Sequence, residues 1–283
     1  MHLDVQHLRD FYYRSQLGRA AQKGVRDKLV QRWGAVRGLT LAGYGFAVPL
    51  LRPFLGAADA VIGLMPAPQG VMPWPAESAN HSVLCDEARW PLANDSVDRL
   101  VMMHGLETCD HPLALLDEAH RVLSPQGRAM IVVPSRGGLW ARSDVTPFGF
   151  GRPYSRGQIE RLLGDSGFVA TAHTSALFFP PSERRFWLRS ARGLEKLGSR
   201  WGLKRMGGVL MIEAMPRDPA APRGLRADNR PPLRVLEGVP QSGAQPAWRD
   251  SAPLHRHRES APLHAHRESV PRPTQRKSEP PAR

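Results

Sequence analysis

The sequence predicts an α/β fold built on a doubly wound, mostly parallel seven-stranded sheet. Apolar segments with strand character alternate with amphipathic segments of helical spacing between residues 38 and 215. The first strand segment passes through Gly43-Tyr44-Gly45 and then enters a helical segment. In doubly wound sheets, ligands bind at the carboxyl ends of the strands. The glycine turn is therefore a candidate ligand site.

Each element has its own signal along the chain. Residues 3–33 carry apolar residues at helical spacing, and we expect one or two helices there, broken near Gly18 or Gly24. Strands are expected at 38–42, 58–64, 81–85, 97–103, 128–134, 168–179 and 207–215. Helices are expected at 46–54, 111–123, 155–167 and 182–198, the first interrupted by Pro49 and the third capped by Ser155. We thus divide the chain into a helical extension (1–37), a domain (38–217) and a tail (218–283).

The tail differs from the domain in composition. It holds twelve of the 27 prolines and almost no apolar clusters, which predicts disorder. A tandem repeat, "SAPLHRHRE" followed by "SAPLHAHRE", spans residues 251–268. Two polar nine-residue copies cannot bury a core, so they indicate duplication within a tolerant segment.

Charge and cysteine content limit the partners and the compartment. The net charge of +13 permits contact with nucleic acid, but the arginines are scattered and form no basic run interleaved with aromatics. Nucleic acid is therefore not the favoured partner. Two cysteines without metal-ligand spacing fit a reducing cytosol. The start lacks the layout of a signal peptide, and the longest apolar stretch, Leu39–Leu51, is too short to span a bilayer. We expect a soluble, cytoplasmic protein without a membrane span.

A nicotinamide dinucleotide is one candidate ligand for the glycine turn. Its fingerprint requires G-x-G-x-x-G and an acidic residue about 20 positions later. Val48 stands at the third glycine position, and Met65 stands where the acid belongs. Two elements of that motif are therefore missing.

The segment from Cys85 to Ser135 carries a more specific set of motifs. In order, these are Asp86, Pro91-Leu92, Asp98, His104-Gly-Leu-Glu107, Glu118, and Arg121-Val-Leu-x-Pro-x-Gly127. This order resembles the class I S-adenosylmethionine-dependent methyltransferases, in particular the type 11 branch. The resemblance covers roughly residues 38–178. It implies the Rossmann-like methyltransferase fold and S-adenosylmethionine as cofactor.

The resemblance also implies the donor site. The glycine turn would pass under the methionine part of the donor, Asp86 would accept from the adenine amino group, and Met103–Leu106 would line the methyl-transfer face. Met65 replaces the acid that commonly holds the ribose, and Glu77 is a candidate substitute. The implied cofactor-binding residues are Gly43, Tyr44, Gly45, Met65, Asp86, Glu87, His104 and Leu106.

Several of these residues also have a purely structural interpretation. His104 is equally well explained as a satisfied histidine at a strand end, and Glu107 as an acid that complements a helix dipole. Asp86 has the alternative of a solvated turn acid. Glu118 and Arg121 are predicted to form a structural pair. Because a sulfonium carries its own leaving group, in-line methyl transfer requires positioning of two reactants and no metal.

Residues 134–155 form the most unusual stretch of the chain. Arginines, aromatic residues and four glycines are mixed there, directly after the fifth strand. Long irregular segments at the ligand edge of a sheet often bind substrate. We expect Arg136, Trp140, Arg142 and Arg152 to bind a small or anionic acceptor, and His104, Asp144 or Tyr154 to act on its proton. A rigid cover over the sheet edge is the structural alternative.

The sequence thus predicts a methyltransferase that uses S-adenosylmethionine on an unidentified acceptor. The alternative is a non-catalytic module with the methyltransferase fold, which binds RNA or another anionic partner.

Overall fold

The computed structural model describes residues 3–76, 78–200 and 207–217, and these belong to one unit, Met1–Leu225. The predicted disorder of the tail and the predicted role of Glu77 concern positions outside the described residues. Among the described residues, no helix combines the length and the apolar character needed to cross a bilayer.

The sheet has the predicted architecture. Its strands within the described residues are β1 (Thr40–Gly45), β2 (Ala60–Pro66), β3 (Ser82–Cys85), β4 (Val97–Met103), β5 (Leu123–Pro134), β6 (Phe168–Ala176) and β7 (Val209–Pro216). They are ordered β3-β2-β1-β4-β5-β7-β6. The first five strands pair in parallel, and β7 lies antiparallel between β5 and β6. The predicted doubly wound, mostly parallel sheet is confirmed.

Helices cover both faces of the sheet. They are α1 (Val5–Arg9), α2 (Gln16–Trp33), α3 (Val48–Leu51), α4 (Pro112–Val122), α5 (Arg156–Asp165) and α6 (Arg185–Arg200). Apolar residues of α1, α2, α3 and α6 pack in one core on the first face. Those of α4 and α5 pack in a second core on the opposite face. Because β1 to β5 are parallel, their carboxyl ends all meet at one edge of this sandwich.

The helical extension breaks at Ser15 and not at the glycines. A π-helical turn, Asp10–Arg14, follows α1, and α2 then runs without interruption through Gly18 and Gly24. The Ser15 hydroxyl caps α2 by accepting from the Gly18 N–H at 2.8 Å. A Cβ at Gly18 would stand 1.9 Å from the Phe11 carbonyl oxygen, so this glycine permits the close approach of the preceding turn. The prediction of a helix break near Gly18 or Gly24 was therefore wrong. Gly18 is required for close packing and does not interrupt α2.

Pro49 also differs from its prediction. We expected it to interrupt a helix at 46–54, but it lies in the first turn of α3. The N–H groups of a first helical turn have no intrahelical partner, so proline is accommodated there. The helix is accordingly short, and a 3-10 turn over Arg52–Phe54 completes it.

Candidate functional site

The two glycines at the end of β1 approach other parts of the chain. A Cβ at Gly43 would lie 2.7 Å from Leu51 Cδ1, so Gly43 lets α3 pack closely on the strand. Gly45 has a φ of +77°, and a Cβ there would lie 2.3 Å from the Met103 carbonyl oxygen. The turn therefore joins β1 tightly to α3 and β4. This packing accounts for both glycines without a ligand.

The first residue after β4, His104, forms the centre of a buried polar chain. It has a φ of +55° and no solvent exposure. Its Nε2 lies 2.6 Å from the Tyr12 hydroxyl, and its Nδ1 lies 3.1 Å from Glu107 Oε1. Because a carboxylate only accepts, the Nδ1 proton belongs to the Glu107 contact, and Tyr12 donates to Nε2. The Phe148 ring packs against the imidazole at 4.6 Å between centroids.

Tyr12 comes from the helical extension and was not foreseen as a site residue. Burial raises the pKa of its phenol well above the ordinary value, and the negative charge of Glu107 raises it further. The hydroxyl therefore stays protonated and remains a donor to His104. Its ring stacks on Phe46, with centroids 5.7 Å apart and planes 19° apart. The extension thus supplies part of the site as well as covering the sheet.

Glu107 connects this chain to the irregular segment at 134–155. Its side chain is buried, and its Oε2 has no hydrogen-bond partner among the described residues. Its carbonyl oxygen accepts from the Arg152 N–H at 2.8 Å. A Cβ at Gly151 would lie 2.4 Å from that carbonyl oxygen, so Gly151 allows the segment to lie directly against Glu107. One buried carboxylate oxygen is left as an open acceptor.

Gln69 is a second site residue that the sequence did not reveal. It follows β2 by three positions and is 4% exposed. Its Nε2 donates to the His104 carbonyl at 2.8 Å, which fixes the orientation of the amide. Its Oε1 has no partner among the described residues. The neighbouring Met65, predicted to contact the donor, is fully buried, and its Sδ accepts from the Met72 N–H at 3.4 Å.

The predicted adenine end contains Asp86 and Glu87, which point in different directions. Asp86 is exposed, and its carboxylate accepts from the Ala88 N–H at 2.9 Å. The carboxylate of Glu87 is 3.3 Å from the Cys109 thiol, which donates to it. Burial is the main cause that raises the pKa of the Cys109 thiol to about 12, and it does the same for Cys85. Both thiols therefore stay protonated at neutral pH.

Tyr44 lies beside this cluster. Its ring stacks on Trp90 at 4.9 Å and is fully buried. Burial raises the pKa of its phenol, and the charge of Glu87 adds to the effect. The hydroxyl has no hydrogen-bond partner among the described residues. A Cβ at Gly105 would lie 2.6 Å from the Tyr44 ring, so Tyr44 adjoins the His104–Glu107 segment.

The irregular segment is partly core and partly surface. Trp140, expected to bind the acceptor, is fully buried and donates from Nε1 to the Phe179 carbonyl at 2.7 Å. Trp140 therefore anchors the segment to the core, and the prediction that it contacts the acceptor was wrong, because its ring is not accessible. The side chains of Arg142 and Asp144 are exposed and make no hydrogen bond or ion pair to other described residues. The structure does not bring these two together with His104.

The other predicted residues of the segment are Tyr154, Arg136 and Arg152. Tyr154 is half-buried, and its hydroxyl donates to the Leu106 carbonyl over 3.4 Å. Burial, followed by the charge of Glu107, raises the pKa of its phenol. Arg136 and Arg152 are exposed. Tyr154 therefore joins the irregular segment to the His104–Glu107 segment.

The predicted structural pair has the expected geometry. Arg121 donates to both Glu118 oxygens, at 2.7 and 2.8 Å, and the Trp90 N–H donates to Glu118 at 2.6 Å. The hydrogen bonds from Arg121 are the main cause that lowers the pKa of Glu118. This pair joins α4 to the loop after β3.

The chain is similar to known methyltransferases. Residues 42–173 match the family model described as a methyltransferase domain. The chain is similar to a Haloferax volcanii methyltransferase solved in complex with the Trm112 methyltransferase activator (TM-score 0.53, 16% identity, 75% of this chain and 98% of that chain). It is also similar to a SAM-dependent methyltransferase from Aquifex aeolicus (TM-score 0.50, 16% identity, 75% and 98%). No curated protein sequence matches the chain. At these identities the structures establish the fold, and the family model confirms the resemblance seen in the motifs.

Proposed function

Because residues 42–173 match a methyltransferase-domain model, we propose that this chain binds S-adenosylmethionine and transfers the methyl group to a small acceptor. One observation supports the site most directly. Three buried oxygens, Tyr44 Oη, Gln69 Oε1 and Glu107 Oε2, have no hydrogen-bond partner among the described residues, and all three belong to side chains in or next to the segment after β4. Buried polar groups are normally hydrogen-bonded, so several orphans around one segment indicate groups that pair with a ligand.

The residues present fit the donor, although the usual ribose-binding acid is missing. Gln69 lies just beyond the position of that acid and holds an open acceptor, so we assign the ribose hydroxyls to its Oε1. Tyr44 and Glu87 lie at the predicted adenine end. The donor, when bound, supplies an electrophilic methyl group on a positively charged sulfur. A buried carboxylate favours a cationic ligand, and Glu107 offers one.

His104 has a positioning role in this proposal. Both ring nitrogens are engaged, Nδ1 by Glu107 and Nε2 by Tyr12, so neither is open to an acceptor proton. The imidazole instead fixes the Glu107 carboxylate in one orientation and leaves Oε2 open. Tyr12, Phe46 and Phe148 exclude water from the same place. Tyr154, another predicted proton acceptor, donates to the Leu106 carbonyl beside Glu107, and its raised pKa keeps the phenol protonated.

Calorimetry on the full-length protein tests the proposal. We expect heat from S-adenosylmethionine and from its demethylated product, S-adenosylhomocysteine, and none from NADH. Glu107→Gln keeps the shape and the acceptor for His104 but removes the charge, so donor affinity should fall by about tenfold or more. Glu183→Gln, at an exposed position, is the matched control and should bind as the wild type does.

Two results would contradict the proposal. Absence of heat with both methionine compounds at high micromolar concentration would favour the alternative function, a non-catalytic module with the methyltransferase fold. Equal donor affinity in Glu107→Gln and Glu183→Gln would show that the buried carboxylate does not face the donor.

A further inference from the structure

A cavity lies at the same sheet edge. Its volume is about 750 Å³, which is in the range of small-molecule sites. It lies between the end of β5, the start of α5 and the adjoining ends of β6 and β7. The lining residues are Ser135, Arg136, Gly137, Ser155, Arg156, Gly157, Glu160, His173, Thr174, Ser175, Leu210 and Ile212.

One wall of this cavity presents hydrogen-bond donors. The first backbone N–H groups of α5, at Arg156 and Gly157, have no intrahelical partner, and a Cβ at Gly157 would meet nothing within 4 Å. Ser135 is 5% exposed and lines the cavity. A largely buried serine that lines the cavity together with an open helix N-terminus offers hydrogen-bond donors to an anionic ligand.

The charges around the cavity define how much negative charge it accepts. Glu160 is paired with Arg156 at 2.9 Å and lies 2.6 Å from His173 Nε2. Among the described residues, the Arg136 guanidinium makes one 3.4 Å contact, to the Pro153 carbonyl, and pairs with no carboxylate. One uncompensated guanidinium matches one negative charge, and its planar fork suits a carboxylate.

We propose that this cavity binds the carboxylate of a small organic acid. Arg136, Ser135 and the N-terminus of α5 hold the carboxylate, and Leu210 and Ile212 provide an apolar wall for the rest of the molecule. The proposal rests on the proposed function only in taking this acid to be the methyl acceptor. It selects Arg136 among the three arginines of the segment, because Arg142 and Arg152 do not line the cavity.

Titrations of the full-length protein with benzoate, benzamide and phenylphosphonate, followed by NMR, test the proposal without any methyl donor. We expect benzoate to bind about tenfold more tightly than its neutral isostere benzamide, since benzamide lacks the charge that Arg136 pairs with. Arg136→Gln should remove this preference for benzoate, and Ser135→Ala should lower the affinity for benzoate by a few-fold. Arg161→Gln, on the same helix but outside the lining, should keep it.

Other outcomes would overturn the proposal. These are equal binding of benzoate and benzamide, no binding of benzoate at millimolar concentration, or an equal loss in Arg136→Gln and Arg161→Gln. If phenylphosphonate bound more tightly than benzoate, the anionic group of the natural ligand would be a phosphate and not a carboxylate. Because no donor is present, none of these results depends on whether S-adenosylmethionine binds.

Discussion

The buried Tyr44 hydroxyl, which has no hydrogen-bond partner among the described residues, leads to an unusual prediction about stability. In the ligand-free protein a buried hydroxyl without a partner has lost its hydration and gained nothing in return, at a cost of about 1–3 kcal/mol. Tyr44→Phe removes that group and keeps the ring stacked on Trp90. We therefore expect the free energy of unfolding to rise by about 1–3 kcal/mol. For a domain of this size, each kcal/mol raises Tm by about 2–4 °C.

Tyr12→Phe is the matched control, because it makes the same chemical change at another fully buried tyrosine. Its hydroxyl is 2.6 Å from His104 Nε2, so removal leaves a buried ring nitrogen unsatisfied. The free energy of unfolding should fall by about 1–3 kcal/mol. Urea denaturation of the three proteins without ligand measures both changes, which have opposite signs.

The donor affinity of the Tyr44 variant gives a second readout. If the Tyr44 hydroxyl pairs with the bound donor, Tyr44→Phe should weaken binding by about 0.5–1.5 kcal/mol, which is roughly two- to tenfold. Higher stability together with weaker binding is the signature of a group held ready for a ligand. A variant less stable than the wild type would refute the reasoning, since the hydroxyl would then have a partner in the free protein.

Two further predictions concern the frame of the site. Gly45→Ala should destabilise the protein more than Gly56→Ala, although both glycines have φ near +77°. A Cβ at Gly45 would lie 2.3 Å from the Met103 carbonyl oxygen, whereas a Cβ at Gly56 would meet nothing within 4 Å. The shared cost of positive φ is about 1–2 kcal/mol, and equal melting temperatures would contradict the packing argument. Glu118, whose pKa is lowered mainly by Arg121, stabilises the fold above the ordinary glutamate pKa of about 4.3, and this stabilisation is lost as the pH falls through the lowered folded-state pKa. Urea denaturation should thus show Glu118→Gln less stable than the wild type at pH 7, with the gap closing below about pH 4; a gap independent of pH would contradict the assignment.

The sheet was predictable because its signals are local. Each strand is a short apolar run, and each helix has its own periodicity and boundary residues, as the capping box at Ser155 shows. The errors within the fold also have a local cause. Glycine and proline on average interrupt helices. Gly18 instead permits close packing within the extension, and Pro49 is accommodated in the first turn of α3.

The site was less predictable because its contacts are long-range. Tyr12 reaches His104 across 92 positions, and Gln69 reaches the same residue across 35. Neither residue belongs to a motif, so no spacing pattern indicates it. Sequence also cannot separate an aromatic residue that faces a ligand from one that anchors a loop, and Trp140 proved to be an anchor.

The contact between Tyr12 and His104 also constrains how the chain folds during synthesis. The helical extension leaves the ribosome before its partner, which emerges 92 residues later, roughly 5–20 s at ordinary rates of translation. In that interval Leu8, Phe11 and Tyr12 have no core to enter, and such exposed apolar stretches are prone to aggregation. The contact between Tyr12 and His104 can form only after β4 has been placed in the sheet. A docked extension therefore indicates that β4 is already in its native position.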